Sequence, residues 1–387
     1  MNSVSTSRDH RIDWLRGLAL MSIFINHMPG NRFEDWTTRN FGFSDAAEVF
    51  VLLAGVAAAL AYFRRFEAGQ TRMVAAKAVK RAGVLYGAHL LSTAGAVGLF
   101  VLAAWASANT DYLDLIGVAP LVTVPGPGVV GILTGGYQLG YFNILPIYVV
   151  LLLALPGLLY LAARDVRLML AASAALYLAA QLLPLQMPNF PADGGWYFNP
   201  FAWQFIFSIG IALGLMRLRG QSVPYWRSLY VLCAAYVAFS AVWMIWSLGG
   251  RITYGTLPLW IDTLHKSNLP ATRLLHVLAL AYLLVHSPVW EWLRRIGQSN
   301  PIASLGRNSL PVFVVSSLMS MVGYIVLVQT GPQLWLELVL VMTGLAAMSL
   351  AAWISENRDV IQERAGRSAA GVVQAVRWAA RSLVTGG

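Results

Sequence analysis

Runs of about 20 apolar residues recur along the chain, and that is the length a helix needs to cross a bilayer. Ten runs can be drawn: 11–30, 45–64, 83–106, 140–162, 167–184, 199–217, 226–247, 272–290, 305–328 and 333–354. Composition agrees, since 58% of residues are hydrophobic and 11% charged, against roughly 25% charged in a soluble domain. The expected fold is therefore all-α, a polytopic integral membrane protein with about ten transmembrane helices. Residues 1–354 form its transmembrane domain, and 355–387 form an amphipathic, basic cytoplasmic tail. The second and fourth runs contain Gly or Pro, which a bundle tolerates where neighbours satisfy the freed backbone groups.

The net charge is +10, and its placement reads as topology rather than nucleic-acid binding. With the N-terminus inside, 21 of the 27 Lys and Arg fall on the cytoplasmic side, 5 fall outside, and Arg16 lies within a run. That is the bias expected of an inner-membrane protein with both ends in the cytoplasm. No cleavable signal peptide is evident, because the first run is long and holds Asp13 and Arg16. The single cysteine, Cys233, excludes an internal disulfide framework. In the tail, Val372, Val373, Val376, Ala380 and Leu383 follow helical spacing beside Arg377 and Arg381, as on a helix lying on the membrane surface. The longest outer segment, 107–139, has no Lys or Arg and contains Val124-Pro-Gly-Pro-Gly128. It reads as a surface loop, with a cap or re-entrant segment as the alternative.

Ionisable groups inside spans are costly and mark function. The first run holds Asp13, Arg16 and His27. Eleven residues turn a helix to within about 20° of its start and advance it roughly 16 Å. Arg16 and His27 therefore share a face, one near the cytoplasmic end and one near the outer end. A long substrate threaded between the two sides would meet both. Bland roles compete: Asp13 and Arg16 at i, i+3 can neutralise each other, and a histidine at a helix end is often only packed. Ser44-Asp45-Ala-Ala-Glu48 opens the second run. Capping accounts for Asp45, whereas Glu48 lies deeper and needs a partner. A carboxylate orienting His27 would make it a competent general base.

The spacing Arg16-x10-His27 resembles the signature of the membrane acyltransferases that modify extracytoplasmic glycans. The closer resemblance is to the OpgC-type family, which adds succinyl groups to osmoregulated periplasmic glucans. It rests on several strings in order along the chain. The first two are Arg11-Ile-Asp-Trp-Leu-Arg-Gly-Leu-Ala-Leu20 and Arg39-Asn-Phe-Gly-Phe-Ser-Asp-Ala-Ala-Glu-Val-Phe50. Then come Asn199-Pro-Phe-Ala-Trp-Gln204, Lys266-Ser-Asn-Leu269 with Arg273-Leu-Leu-His276, and Leu305-Gly-Arg-Asn-Ser-Leu-Pro311.

The resemblance implies a bacterial inner-membrane enzyme with membrane lipid around it, a cytoplasmic acyl-CoA donor and a periplasmic glucan acceptor. Succinyl-CoA would be a co-substrate, with no tightly bound cofactor. His27 would take the proton of a sugar hydroxyl as it attacks the thioester, with Asp45 and Glu48 beside it; a covalent acyl-histidine is the alternative. Arg16 would help place the donor, and Arg64, Arg65, Lys80, Arg81 and Arg307 are the cations available for its nucleotide end. A succinyl carboxylate would call for an outer cation among Arg39, Arg251, Lys266 and Arg273, near His265 and His276. Trp36 and other outer aromatics, such as Trp196, Trp203, Tyr254 and Trp260, offer faces for sugar rings, although an interfacial belt explains most of them. No histidine cluster has metal-ligand spacing. Rival readings are an acetyltransferase of another envelope glycan, a transporter or flippase for a polar envelope solute, and a non-catalytic partner of glucan synthesis. The absence of a visible internal repeat counts against the transporter. The reading is compatible with an oligomer.

Overall fold

The computed structural model describes residues 9–191, 194–246, 248, 266–297 and 299–362. Among them the chain is helical, with three short 3-10 turns and one isolated bridge between Pro188 and Gly195. The helices are α1 (His10–Asn26), α2 (Ala46–Glu67), α3 (Thr71–Ser107), α4 (Ala119–Thr123), α5 (Pro125–Thr134), α6 (Ile144–Arg164) and α7 (Val166–Leu182). There follow α8 (Pro200–Leu218), α9 (Arg227–Ile245), α10 (Ala271–Val285), α11 (Pro288–Leu293), α12 (Pro301–Arg307), α13 (Ser309–Thr330) and α14 (Leu334–Glu356).

Seven of these, α2, α3, α6, α8, α9, α13 and α14, are long and apolar enough to cross a membrane. The three other expected spans coincide with shorter helices: α1 and α7 of 17 residues and α10 of 15. α1 stops at Asn26 because Pro29 cannot continue it, and Gly30 turns the chain at φ 88°. α3 is longer than expected. Its 37 residues begin at Thr71, so Arg72, Lys77, Lys80 and Arg81 continue the helix instead of forming a loop.

Close helix crossings set the frame. On α2, a Cβ at Gly55 would lie 2.1 Å from the Phe207 carbonyl of α8. On α12, a Cβ at Gly306 would lie 1.8 Å from the Asp13 carbonyl of α1. Small residues let backbones approach where lipid gives no hydrophobic drive between helices.

The outer segment after α3 is not a surface loop. Tyr86 lies about 31 Å before the end of α3 at 1.5 Å per residue, yet its hydroxyl donates to the Leu133 carbonyl at the end of α5. The chain thus dips alongside α3 and returns. Ile116, Val118, Tyr137 and Leu139 pack with Ala96 and Phe100 on the way. Backbone groups at that depth need partners. Tyr137 N–H donates to Gly131 O at 2.8 Å, and its hydroxyl donates to Gly117 O at 2.7 Å. The expected tail helix lies outside the described residues.

Candidate active site

His27 is the C-cap of α1. It opens onto a cavity of about 420 Å³ that Arg39, Asp45, Tyr141, Lys266 and Arg273 also line. Five residues singled out from the sequence therefore converge, although 239 positions separate His27 from Lys266. The fold achieves this through local devices. Asp45 caps α2, accepting from Ala47 N at 2.8 Å, and Glu48 closes the capping box by accepting from Asp45 N at 2.9 Å. Asn199 caps α8 through Phe201 N, and its amide donates to Asn268 Oδ1 at 2.8 Å. Trp203 Nε1 donates to Ser267 O at 3.0 Å, and Tyr177 to Leu269 O at 2.9 Å. The strings at 199–204 and 266–269 are thus two halves of one clamp that presents Lys266.

The carboxylates do not orient His27, as the sequence suggested they would. Asp45 Oδ2 accepts from Lys266 Nζ at 2.5 Å and from Arg273 Nη2 at 3.1 Å. Glu48, fully buried, accepts from Arg273 Nε at 2.7 Å. Both acids are held by cations that the chain supplies from more than 200 positions away. His27 Nδ1 is buried without a hydrogen-bond partner among the described residues, which leaves Nε2 for chemistry. Among the described residues, Tyr141 stacks on the ring, with centroids 4.6 Å apart and planes at 24°. Sequence reasoning missed Tyr141, because the returning re-entrant segment brings it in and no spacing signals that.

A second cavity of about 210 Å³ holds Arg16 and Arg81, with Phe50, Tyr62, Leu85 and Tyr148. Ile144 lines both cavities, so they adjoin. The Arg16 guanidinium lies 5.4 Å over the Phe50 ring. Arg64, Arg65 and Lys80 are exposed around the ends of α2 and α3 and line neither cavity. Arg307 pairs with Glu356 at 2.7 Å, which leaves it tying α12 to α14.

On the outer side, Trp36 is 81% exposed and does not line the histidine cavity. Arg39 faces Glu34 at 3.7 Å. Burial pushes the Glu34 carboxyl above its usual range, against the pull of Arg39. His276 is buried, and its Nδ1 accepts from Ser44 N at 3.2 Å, so it steadies the residue before the α2 cap. Arg251, Tyr254, Trp260 and His265 lie outside the described residues. Among the described residues no three His, Cys, Asp or Glu side chains gather as a metal site would need.

No curated protein and no solved structure matches this chain. A family model does, that of the OpgC protein, over residues 8–360. The chain therefore belongs to the OpgC protein family, which implies an acyltransferase acting on periplasmic glucans.

Proposed function

We propose that the protein is an acyl-CoA-dependent O-succinyltransferase of the bacterial inner membrane. It would cross the bilayer ten times with both ends in the cytoplasm and move succinyl from cytoplasmic succinyl-CoA to hydroxyls of periplasmic glucans. The observation that carries this reading is the pair of adjoining cavities on α1. One holds Arg16 and Arg81, and the other holds His27. In the proposed orientation the first cavity lies toward the cytoplasm, where the donor is made, and the second toward the periplasm.

The chemistry follows from what lines the outer cavity. The acceptor hydroxyl loses its proton to His27 Nε2 as its oxygen attacks the thioester carbonyl. The C–O bond forms, the C–S bond breaks, and the thiolate leaves. The imidazolium then returns the proton to the sulfur, and the products are ester and thiol. The positive charge of Arg16 and Arg81 in the inner cavity supports an anionic donor.

Three cations, Arg39, Lys266 and Arg273, line the outer cavity; Asp45 and Glu48 hold Lys266 and Arg273, and Arg39 lies 3.7 Å from Glu34. Arg39, the most exposed of the three and in the longest of these pairs, supports a donor whose acyl group carries its own carboxylate. Donor competition tests the point. Equal amounts of succinyl-CoA and acetyl-CoA offered to the purified protein with glucan should give mainly succinyl esters. Equal acetylation would make it an acetyltransferase, and transfer from neither would favour a transporter.

A further inference from the structure

We propose that Tyr141 is a positioning residue for this transfer: its ring face holds His27 and stabilises the imidazolium formed when Nε2 takes the acceptor's proton. The inference rests on the acyl-transfer reading above and adds a residue to it.

The electrostatics of the cavity create the need. Accepting a proton puts a positive charge on His27, beside Arg39, Lys266 and Arg273. Of the two nearby carboxylates, Asp45 is bonded to both Lys266 and Arg273, and Glu48 is bonded to Arg273. Neither is hydrogen-bonded to the imidazole, on which Asp45 acts only through its charge, and Nδ1 has no acceptor among the described residues. A histidine base ordinarily relies on a carboxylate or carbonyl at its second nitrogen. Here the group in that role is an aromatic face. At 4.6 Å and 24° the two rings are stacked, within the range where a cation is attracted by the negative face of a tyrosine ring.

Tyr141 is also presented rigidly. Gly140 before it has φ 43°, a left-handed conformation that glycine tolerates. A Cβ there would meet Ile116 at 3.0 Å. Asn143 and Ile144, just after Tyr141, line the same cavity. The re-entrant segment thus delivers one ring to one place. Among the described residues, the hydroxyl of Tyr197 and the charges of Arg39, Asp45, Lys266 and Arg273 are the other titratable or charged groups lining that cavity, and Glu34 and Tyr324 act on Tyr141 from beside it.

The test uses the full-length protein in detergent, with phenylalanine at 141 as reference and a series in which that ring carries one, two and three fluorines. Fluorination drains the ring face while nearly keeping its shape. The expected result is a stepwise fall in kcat, about 10- to 30-fold by the last member, with KM for succinyl-CoA unchanged. Tyr141→Leu should lose a similar factor. Its acid limb in kcat/KM should also move to lower pH, because the protonated base has lost its stabiliser. A flat fluorine series with an unmoved acid limb would overturn the proposal, leaving Tyr141 as packing. Full activity of His27→Ala would overturn the underlying reading, and the two failures are distinguishable.

Discussion

His27, Glu48 and Arg273 show how much a single position reveals in one dimension. The Arg16–His27 spacing placed both residues on one helix face, and they line adjoining cavities. Glu48 was legible as a buried acid in need of a partner, but the partner was not. Arg273 comes from α10 and sits 8% exposed, 225 positions along the chain. Breaking a buried pair strands its survivor, which costs roughly 3–5 kcal/mol. Arg273→Leu should therefore lower the melting temperature in detergent sharply, and adding Glu48→Leu should recover part of that loss. Two losses that simply add would mean the pair is not coupled.

Asp9 makes a prediction in pH. Burial would raise its carboxyl, yet Arg11 and Arg217 outweigh it and hold the group below its ordinary range. A depressed carboxylate contributes stability that is present above its unfolded value, near 3.8, and is lost as pH falls through the lower folded one. Asp9→Asn should accordingly destabilise at pH 7 and lose its effect in acid, as thermal melts at both pH values would show.

At the scale of elements, apolar length located a helix at each expected run, seven of them long and apolar enough to cross a membrane, but not the helix ends. The Asp45–Glu48 capping box and Pro29 fixed the ends where local signals exist. The segment 107–139 was misread because nothing in a Gly- and Pro-rich stretch says which way it folds. Its depth is set by tertiary contacts such as Tyr86 with Leu133. Tyr86→Phe would remove that hydrogen bond, at a cost of about 0.5–1.5 kcal/mol. Proteolysis within the segment should then speed up, and an unchanged rate would count against the re-entrant arrangement. Gly306 has a sharper requirement. Gly306→Ala would drive a methyl into the Asp13 carbonyl, and separating α12 from α1 should cost about 1–3 kcal/mol or more.

For the whole molecule, the orientation proposed from charge bias would put Arg16 and Arg81 on the donor side and His27 on the acceptor side. What the sequence could not supply was that Lys266, Arg273, Tyr141 and His27 close on one space, since four separate elements build it. The ordered strings of the OpgC family pointed to the chemistry, and the clamp at 199–204 and 266–269 gives them a physical reason. The most direct measurement of the account is transfer of radiolabelled succinyl from succinyl-CoA to periplasmic glucan by purified wild-type protein and by His27→Ala. The account predicts labelled glucan from wild type and a fall of about 10² or more in the variant, the range for losing a general base. Equal transfer by both proteins would contradict it and move the chemistry away from His27.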